Sequence, residues 1–187
     1  MGGLLYHGVE GRSSLYRLLG IDTVRTTRGT QLIEVVKTMT INRPQEEVYK
    51  FWRNFENLPR FMRHLKSVEV IDDKRSRWTA VAPAGASVTW EAEIVNEKPH
   101  ELIAWQSTDR ADVSNWGVVR FAPAPHGKRT EIRVELEYEP LAGTVGVAVA
   151  KLFGEEPAQQ VEEDLRRFKQ IIETGEIATT KGQPRGG

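Results

Sequence analysis

The residues with the strongest claim to chemistry are few and dispersed. Four histidines, His7, His64, His100 and His126, show no HxH, HxxxH or HExxH spacing, so no single helix face or strand brings two imidazoles to one metal. There is no cysteine, which excludes disulfides, thiolate metal sites and cysteine nucleophiles. No GxSxG or P-loop motif is present, and no GxGxxG precedes a helix. General acid–base work falls to Tyr49, Arg60, His64, Gln106, Asn115, Arg120 and Tyr138, and no pair of these is singled out by spacing. No metal and no cofactor is expected.

The aromatic residues are more informative. Five tryptophans, Trp52, Trp78, Trp90, Trp105 and Trp116, are a generous supply for 187 residues. In SVTWEAEIV, Trp90 shares its parity with Val88, Ala92 and Ile94, and in RWTAVA Trp78 shares its own with Ala80 and Ala82. Side chains two apart on a strand point to one face, so these tryptophans face inward beside alanines. Large rings next to small neighbours either fill a core or leave a shaped void for a ligand.

Positioning these residues requires a sheet and a cover. IEVVKTMTI reads as a first strand, PQEEVYKFWRNF as a helix opened by Pro44, and RFMRHL as a second short helix after the break at Asn57-Leu58-Pro59. Six strands follow: SVEVI, RWTAV, SVTWEAEIV, LIAWQS, WGVVRF and TEIRVELEY. The turn clusters between them are short, which implies an antiparallel meander. Glu91, Glu93, Glu131, Glu135 and Glu137 alternate with apolar residues and are assigned to a solvated face. PAQQVEEDLRRFKQII then sets Val161, Leu165, Phe168 and Ile172 on one stripe, with Pro157 at its start and Gly175 at its end. That stripe matches the apolar face of the sheet, and Phe168 is expected to meet Trp90 across the interior.

Charge and length limit the function classes. Lysine plus arginine and aspartate plus glutamate number 26 each, so no net charge favours nucleic acid as a partner. No run approaches 18 apolar residues, and no signal-peptide pattern opens the chain, so a cytoplasmic protein is expected. Arg53, Arg60 and Arg63 offer a basic run for peripheral contact with a membrane surface, or simply a solvated face. The chain divides into an arm at 1–32, one domain at 33–176 and a polar tail at 177–187. Glycines interrupt the arm throughout, and it is expected to be dispensable for folding. Oligomeric state is not legible.

The order β-α-α-β6-α, the stretch INRPQEEVYKFWRNFENLPRFMRHLKSVEV, the strand ELIAWQS and the terminal FGEEPAQQVEEDLRRFKQIIETGE together resemble the START-like SRPBCC superfamily. Within it they are similar to the polyketide cyclase/dehydrase branch, which includes coenzyme-Q-binding proteins. The resemblance covers about residues 33–176. It implies an α+β helix-grip fold, with a strongly curved antiparallel sheet of about seven strands wrapped around the long C-terminal helix. It also implies an elongated apolar pocket between the two. The N-terminal GGLLYHGVEGRSSLYRLLGID resembles the tail of a small two-helix membrane domain in longer relatives, which carry Cys-Pro where Ser13-Ser14 stand here.

On this reading the ligand-binding candidates are Phe55, Leu58, Phe61, Met62, Trp78, Ala80, Trp90, Ala92, Trp105, Phe121, Leu152, Val161 and Leu165. The LPRFM segment closes one end as a gate or a plain cap, and GTVGVAVAKLF closes the other as a lid or a buried helix. The function expected is binding or transport of a hydrophobic small molecule, namely a lipid, an isoprenoid quinone or a polycyclic aromatic. Two alternatives stand beside it. A cyclase/dehydrase-type enzyme requires two convergent polar side chains in the pocket, and a scaffold with a filled core requires no pocket at all.

Overall fold

The computed structural model describes residues 33–81, 85–108, 114–138 and 156–175. The arm, the tail, the GTVGVAVAKLF stretch and Leu152 lie outside the described residues.

Seven strands form one antiparallel sheet: β1 (Ile33–Ile41), β2 (Leu65–Val70), β3 (Arg75–Val81), β4 (Ser87–Lys98), β5 (Leu102–Ser107), β6 (Asn115–Pro123) and β7 (Thr130–Tyr138). Their spatial order is β1-β7-β6-β5-β4-β3-β2. Consecutive strands from β2 to β7 are neighbours, as short turns require, and β1 joins beside β7 with Ile33 opposite Tyr138 and Ile41 opposite Thr130. Register shifts at Leu65/Ser67 and Ile94/Asn96 add local twist and help the sheet to curl. Helix α1 (Gln45–Arg53) and a 3-10 helix (Phe55–Arg60) link β1 to β2.

The concave face is closed by α2 (Pro157–Thr174). Val161, Leu165, Phe168 and Ile172 are buried, as their spacing predicts, and Asp164 and Ile171 join them. The helix ends on Gly175 at φ 77°, a left-handed conformation that glycine adopts without a Cβ clash. Its last carbonyls are also capped from across the fold. Arg43 Nε donates to the Ile172 carbonyl at 2.9 Å and its Nη2 to the Glu173 carbonyl at 2.7 Å. A cation at this end complements the helix dipole. Lys37 to Glu162 at 3.0 Å and Lys169 Nζ to the Thr40 carbonyl at 2.6 Å tie the same helix along β1.

Three expectations need correction. The second short helix is not RFMRHL but the 3-10 helix Phe55–Arg60, which runs through Pro59. Phe55 and Leu58 are both buried and lie three apart, which matches three residues per turn better than the α-helical period. Glu135 and Glu137 are buried rather than solvated, at 5% and 1% exposure. They stand opposite Val118 and Trp116, and on that same face Leu102, Ala104 and Val118 form a small buried cluster with Val95 and Trp116 packed on it. Alternation found the face but not its cover. Finally, Phe168 packs against Phe51, Trp52 and Phe61, while Trp90 packs against Trp78. Parity put both inside without fixing their height along the helix.

Candidate functional site: an aromatic cavity under the first half of the C-terminal helix

Three of the four strand tryptophans sit side by side because the register puts them there. Trp78 on β3 pairs directly with Trp90 on β4, and β5 supplies Trp105 opposite Ile94. Their rings lie 6.0 Å (Trp78–Trp90) and 6.2 Å (Trp78–Trp105) apart between centroids. Such spacing is normal for interacting aromatic pairs. Trp105 needs room on the neighbouring strand, and Gly117 provides it. A Cβ there would fall 2.1 Å from Trp105 Cζ2. Below this layer Phe55 meets Trp78 and Trp105 edge-on at 5.6 and 6.0 Å.

Between this aromatic wall and the first half of α2 is a cavity of about 50 Å³. Among the described residues it is lined by all five tryptophans together with Met62, His64, Asn115, Val134, Leu136, Glu137, Tyr138, Gln160, Val161, Asp164 and Leu165. A water needs about 10–15 Å³ by this measure. The cavity thus has room for a few waters or a small fragment, and a longer ligand must push wall side chains aside. Met62 suits such movement, since its unbranched thioether repacks readily.

One corner of the wall is polar. Gln160 Nε2 lies 2.9 Å from His64 Nδ1, and His64 Nδ1 lies 3.7 Å from Asp164 Oδ2. Arg167 closes the corner by bonding the Asp164 carboxylate and by donating its Nε–H to the Phe61 carbonyl at 2.9 Å. Burial pushes the Asp164 carboxyl up to about 6, against the opposing pull of Arg167. Burial also holds the His64 imidazole down at about 4, with the Arg167 charge acting in the same direction. Near neutral pH the corner therefore holds a neutral imidazole, a carboxamide and a carboxylate already paired with a guanidinium. The wall also carries Tyr138, whose hydroxyl is raised to about 12 by burial.

Of the thirteen binding candidates, Met62, Trp78, Trp90, Trp105, Val161 and Leu165 are brought together around the cavity. Phe55, Leu58, Phe61, Ala80, Ala92 and Phe121 are instead buried in the surrounding core, away from the cavity surface. They are buried inside as parity requires but do not line the cavity. Among the polar candidates His64, Asn115 and Tyr138 line the cavity. Tyr49 instead bonds the Glu97 carboxylate, Gln106 bonds Glu93 and Arg60 stacks over Phe51. Arg120 lies 3.9 Å from Glu135 on the other face. Sequence reading missed Gln160 and Asp164. The signal was present: Asp164 interrupts an apolar stripe, three after Val161 and four before Phe168, and Gln160 is one turn before it.

The model of the polyketide cyclase / dehydrase and lipid transport family matches residues 41–166. The chain belongs to this family. The match runs from the end of β1 through the polar corner on α2. A crystal structure of a Deinococcus radiodurans protein is 43% identical and superposes with a TM-score of 0.63, covering 77% of this chain and 100% of that one. An uncharacterized 17.2 kDa protein from the melC2-rnhH intergenic region of Streptomyces lincolnensis is 27% identical over 154 residues, which is 82% of this chain and 95% of the relative. A START superfamily protein from Mycobacterium smegmatis is 18% identical with a TM-score of 0.56, over 76% of this chain and 99% of that one. That likeness, at such identity, shows the START-like fold alone. Membership in the family supports, at a coarse level, hydrophobic ligand binding or polyketide cyclisation. Among the described residues no helix is long and apolar enough to cross a membrane.

Proposed function

We propose that the protein binds, and in doing so carries or sequesters, a hydrophobic small molecule in the cavity beneath the first half of α2. The observation that carries this reading is the convergence of all five tryptophans on one cavity. Flat, polarisable surfaces of this kind favour lipids, isoprenoid quinones or polycyclic aromatics. Affinity would come from apolar area removed from water, about 25 cal/mol per Å² before the costs of ordering are subtracted. A buried volume also stands against the scaffold reading, which requires none. Mass spectrometry of an organic extract of the purified protein tests the proposal. A stoichiometric apolar compound is expected, and adding it back should raise the melting temperature in a concentration-dependent way. An empty extract, with no thermal response to any quinone, lipid or polycyclic aromatic, would refute it.

A second reading has one observation in its favour. His64, Gln160 and Asp164 converge on the cavity wall, as an enzyme of the cyclase/dehydrase type requires. In that reading the neutral imidazole or the raised carboxyl moves a proton while the tryptophan wall holds a folded chain. Turnover of a β-ketoacyl surrogate, lost on Asp164→Asn with unchanged binding, is the outcome that would favour it.

A further inference from the structure

Two of the cavity tryptophans carry an unanswered donor. The indole Nε1 atoms of Trp52 and Trp90 are buried and have no acceptor among the described residues. Both residues line the cavity, with Trp52 wholly buried and Trp90 at 6% exposure. Trp78 gives the contrast. It lies beside Trp90 in the same wall, yet its Nε1–H is answered by Ser76 Oγ at 2.8 Å. Buried indole N–H groups ordinarily find a partner, and leaving one unmade is costly. The acidic side chains among the described lining residues are Asp164, already paired with Arg167, and Glu137, and that lining includes no lysine or arginine. With no lysine or arginine among those residues, a buried anion would go unpaired there.

We propose that the ligand is an uncharged apolar molecule bearing a carbonyl-type oxygen, and that this oxygen accepts the Trp90 indole N–H, with Trp52 as the neighbouring donor. This rests on the cavity-binding reading and adds the chemical class of the ligand. Ketones, quinones and esters satisfy it. Free fatty acids and other carboxylates, although equally apolar over most of their length, do not. Indoles are suited to this discrimination because they donate and never accept. Selection by a buried donor also acts against analogues that lack the oxygen, since binding them leaves the N–H unmade.

The test uses the full chain and three small probes of matched shape: cyclopentane, cyclopentanone and cyclopentanecarboxylate. Binding is followed by the indole ¹H–¹⁵N resonances, with that of Trp90 assigned by its loss in Trp90→Phe. Cyclopentanone is expected to bind about tenfold more tightly than cyclopentane, as one hydrogen bond allows, and to move the Trp90 indole proton downfield in a saturable way. Cyclopentanecarboxylate should bind more weakly than the ketone. Trp90→Phe should abolish the advantage of the ketone over cyclopentane, whatever it does to the affinity of both, and Trp78→Phe should preserve that advantage. Equal affinity for cyclopentane and cyclopentanone, or preference for the carboxylate, overturns the carbonyl assignment and leaves the cavity reading standing. Failure of all three probes to bind removes both. Loss of ketone preference in Trp78→Phe as well would show that wall packing, not the Trp90 donor, sets it.

Discussion

The interior beneath α2 has two ends built from the same materials and finished differently. Under the second half of the helix, Phe168 is packed by Phe51, Trp52 and Phe61 at centroid distances of 5.6, 5.2 and 5.0 Å, with Ile171 and Ile172 buried beside it. Under the first half, Gln160, Val161, Asp164 and Leu165 face Trp78, Trp90 and Trp105 across a cavity. Both ends are aromatic and both are buried. The difference lies in what faces the rings. The closed end receives aromatic side chains from α1, from Phe61 just after the 3-10 helix and from α2. The open end receives a valine, a leucine and two polar groups, which leave volume unfilled and supply hydrogen-bonding capacity. Trp52 belongs to both ends and forms the partition. Aromatic content alone does not make a pocket; the size and polarity of the opposing side chains do.

The comparison predicts unequal costs for truncation. Phe168→Ala should destabilise by about 3–5 kcal/mol, since its neighbours are too many and too rigid to collapse on the space left. Leu165→Ala, although also buried, should fall near the low end of the leucine range, about 2 kcal/mol, because it already borders a void. Denaturant midpoints of the two variants, with m-values checked for constancy, decide the matter. Equal losses would mean that the two ends do not differ in packing.

Enlargement gives the converse. Ala92 is fully buried, and its strand partners are Ser76 and Ser107 rather than the cavity. Ala92→Leu should overpack and cost roughly 1–3 kcal/mol. Val161→Leu adds its methylene at the cavity wall and should cost less than 1 kcal/mol or slightly stabilise. A reversal of that order would place the void beside Ala92 rather than beside α2.

A smaller effect concerns the polar corner, where two titrations oppose one another. Asp164 is raised from 3.8 to about 6, so the folded state keeps a proton that the unfolded chain has released; its contribution is present at low pH and lost as pH rises through about 6. His64 is lowered from 6.5 to about 4, so its contribution is present above 6.5 and lost as pH falls through about 4. Between pH 4 and 6.5 the two slopes have opposite sign, and the parent protein should show a shallow dependence. Asp164→Asn should leave the histidine slope, with stability rising with pH across that window. His64→Gln should leave the aspartate slope, with stability falling. Parallel profiles for parent and both variants would show that neither group is perturbed by the corner.

The fold was legible in the sequence because its signals are periodic. TEIRVELEY alternates over its whole length, LIAWQS is bounded by turns, and the Val161–Leu165–Phe168–Ile172 stripe with Gly175 beyond it marks both the helix and its end. The site was legible only in part. Parity gives the face that a side chain points to, which is why Trp78, Trp90 and Trp105 were found. It does not give height along the interior, so Phe61 and Phe121 were placed with them although they belong to the closed end. The polar corner depends on His64, between the 3-10 helix and β2, meeting Gln160 nearly a hundred residues later, |i−j| of 96, and no local pattern encodes that. Glu137 was misread for a related reason. Alternation assigned it to a solvated face, whereas at the end of β7 it is buried and borders the cavity.

The most direct test of an open end beside a closed one is a crystal structure determined under xenon pressure, since xenon enters apolar voids too small for larger ligands. Xenon density is expected between Trp78, Trp90 and Leu165, with none around Phe168. Density at the Phe168 end, or none beside the tryptophans, would contradict the division of the interior on which the binding proposal rests.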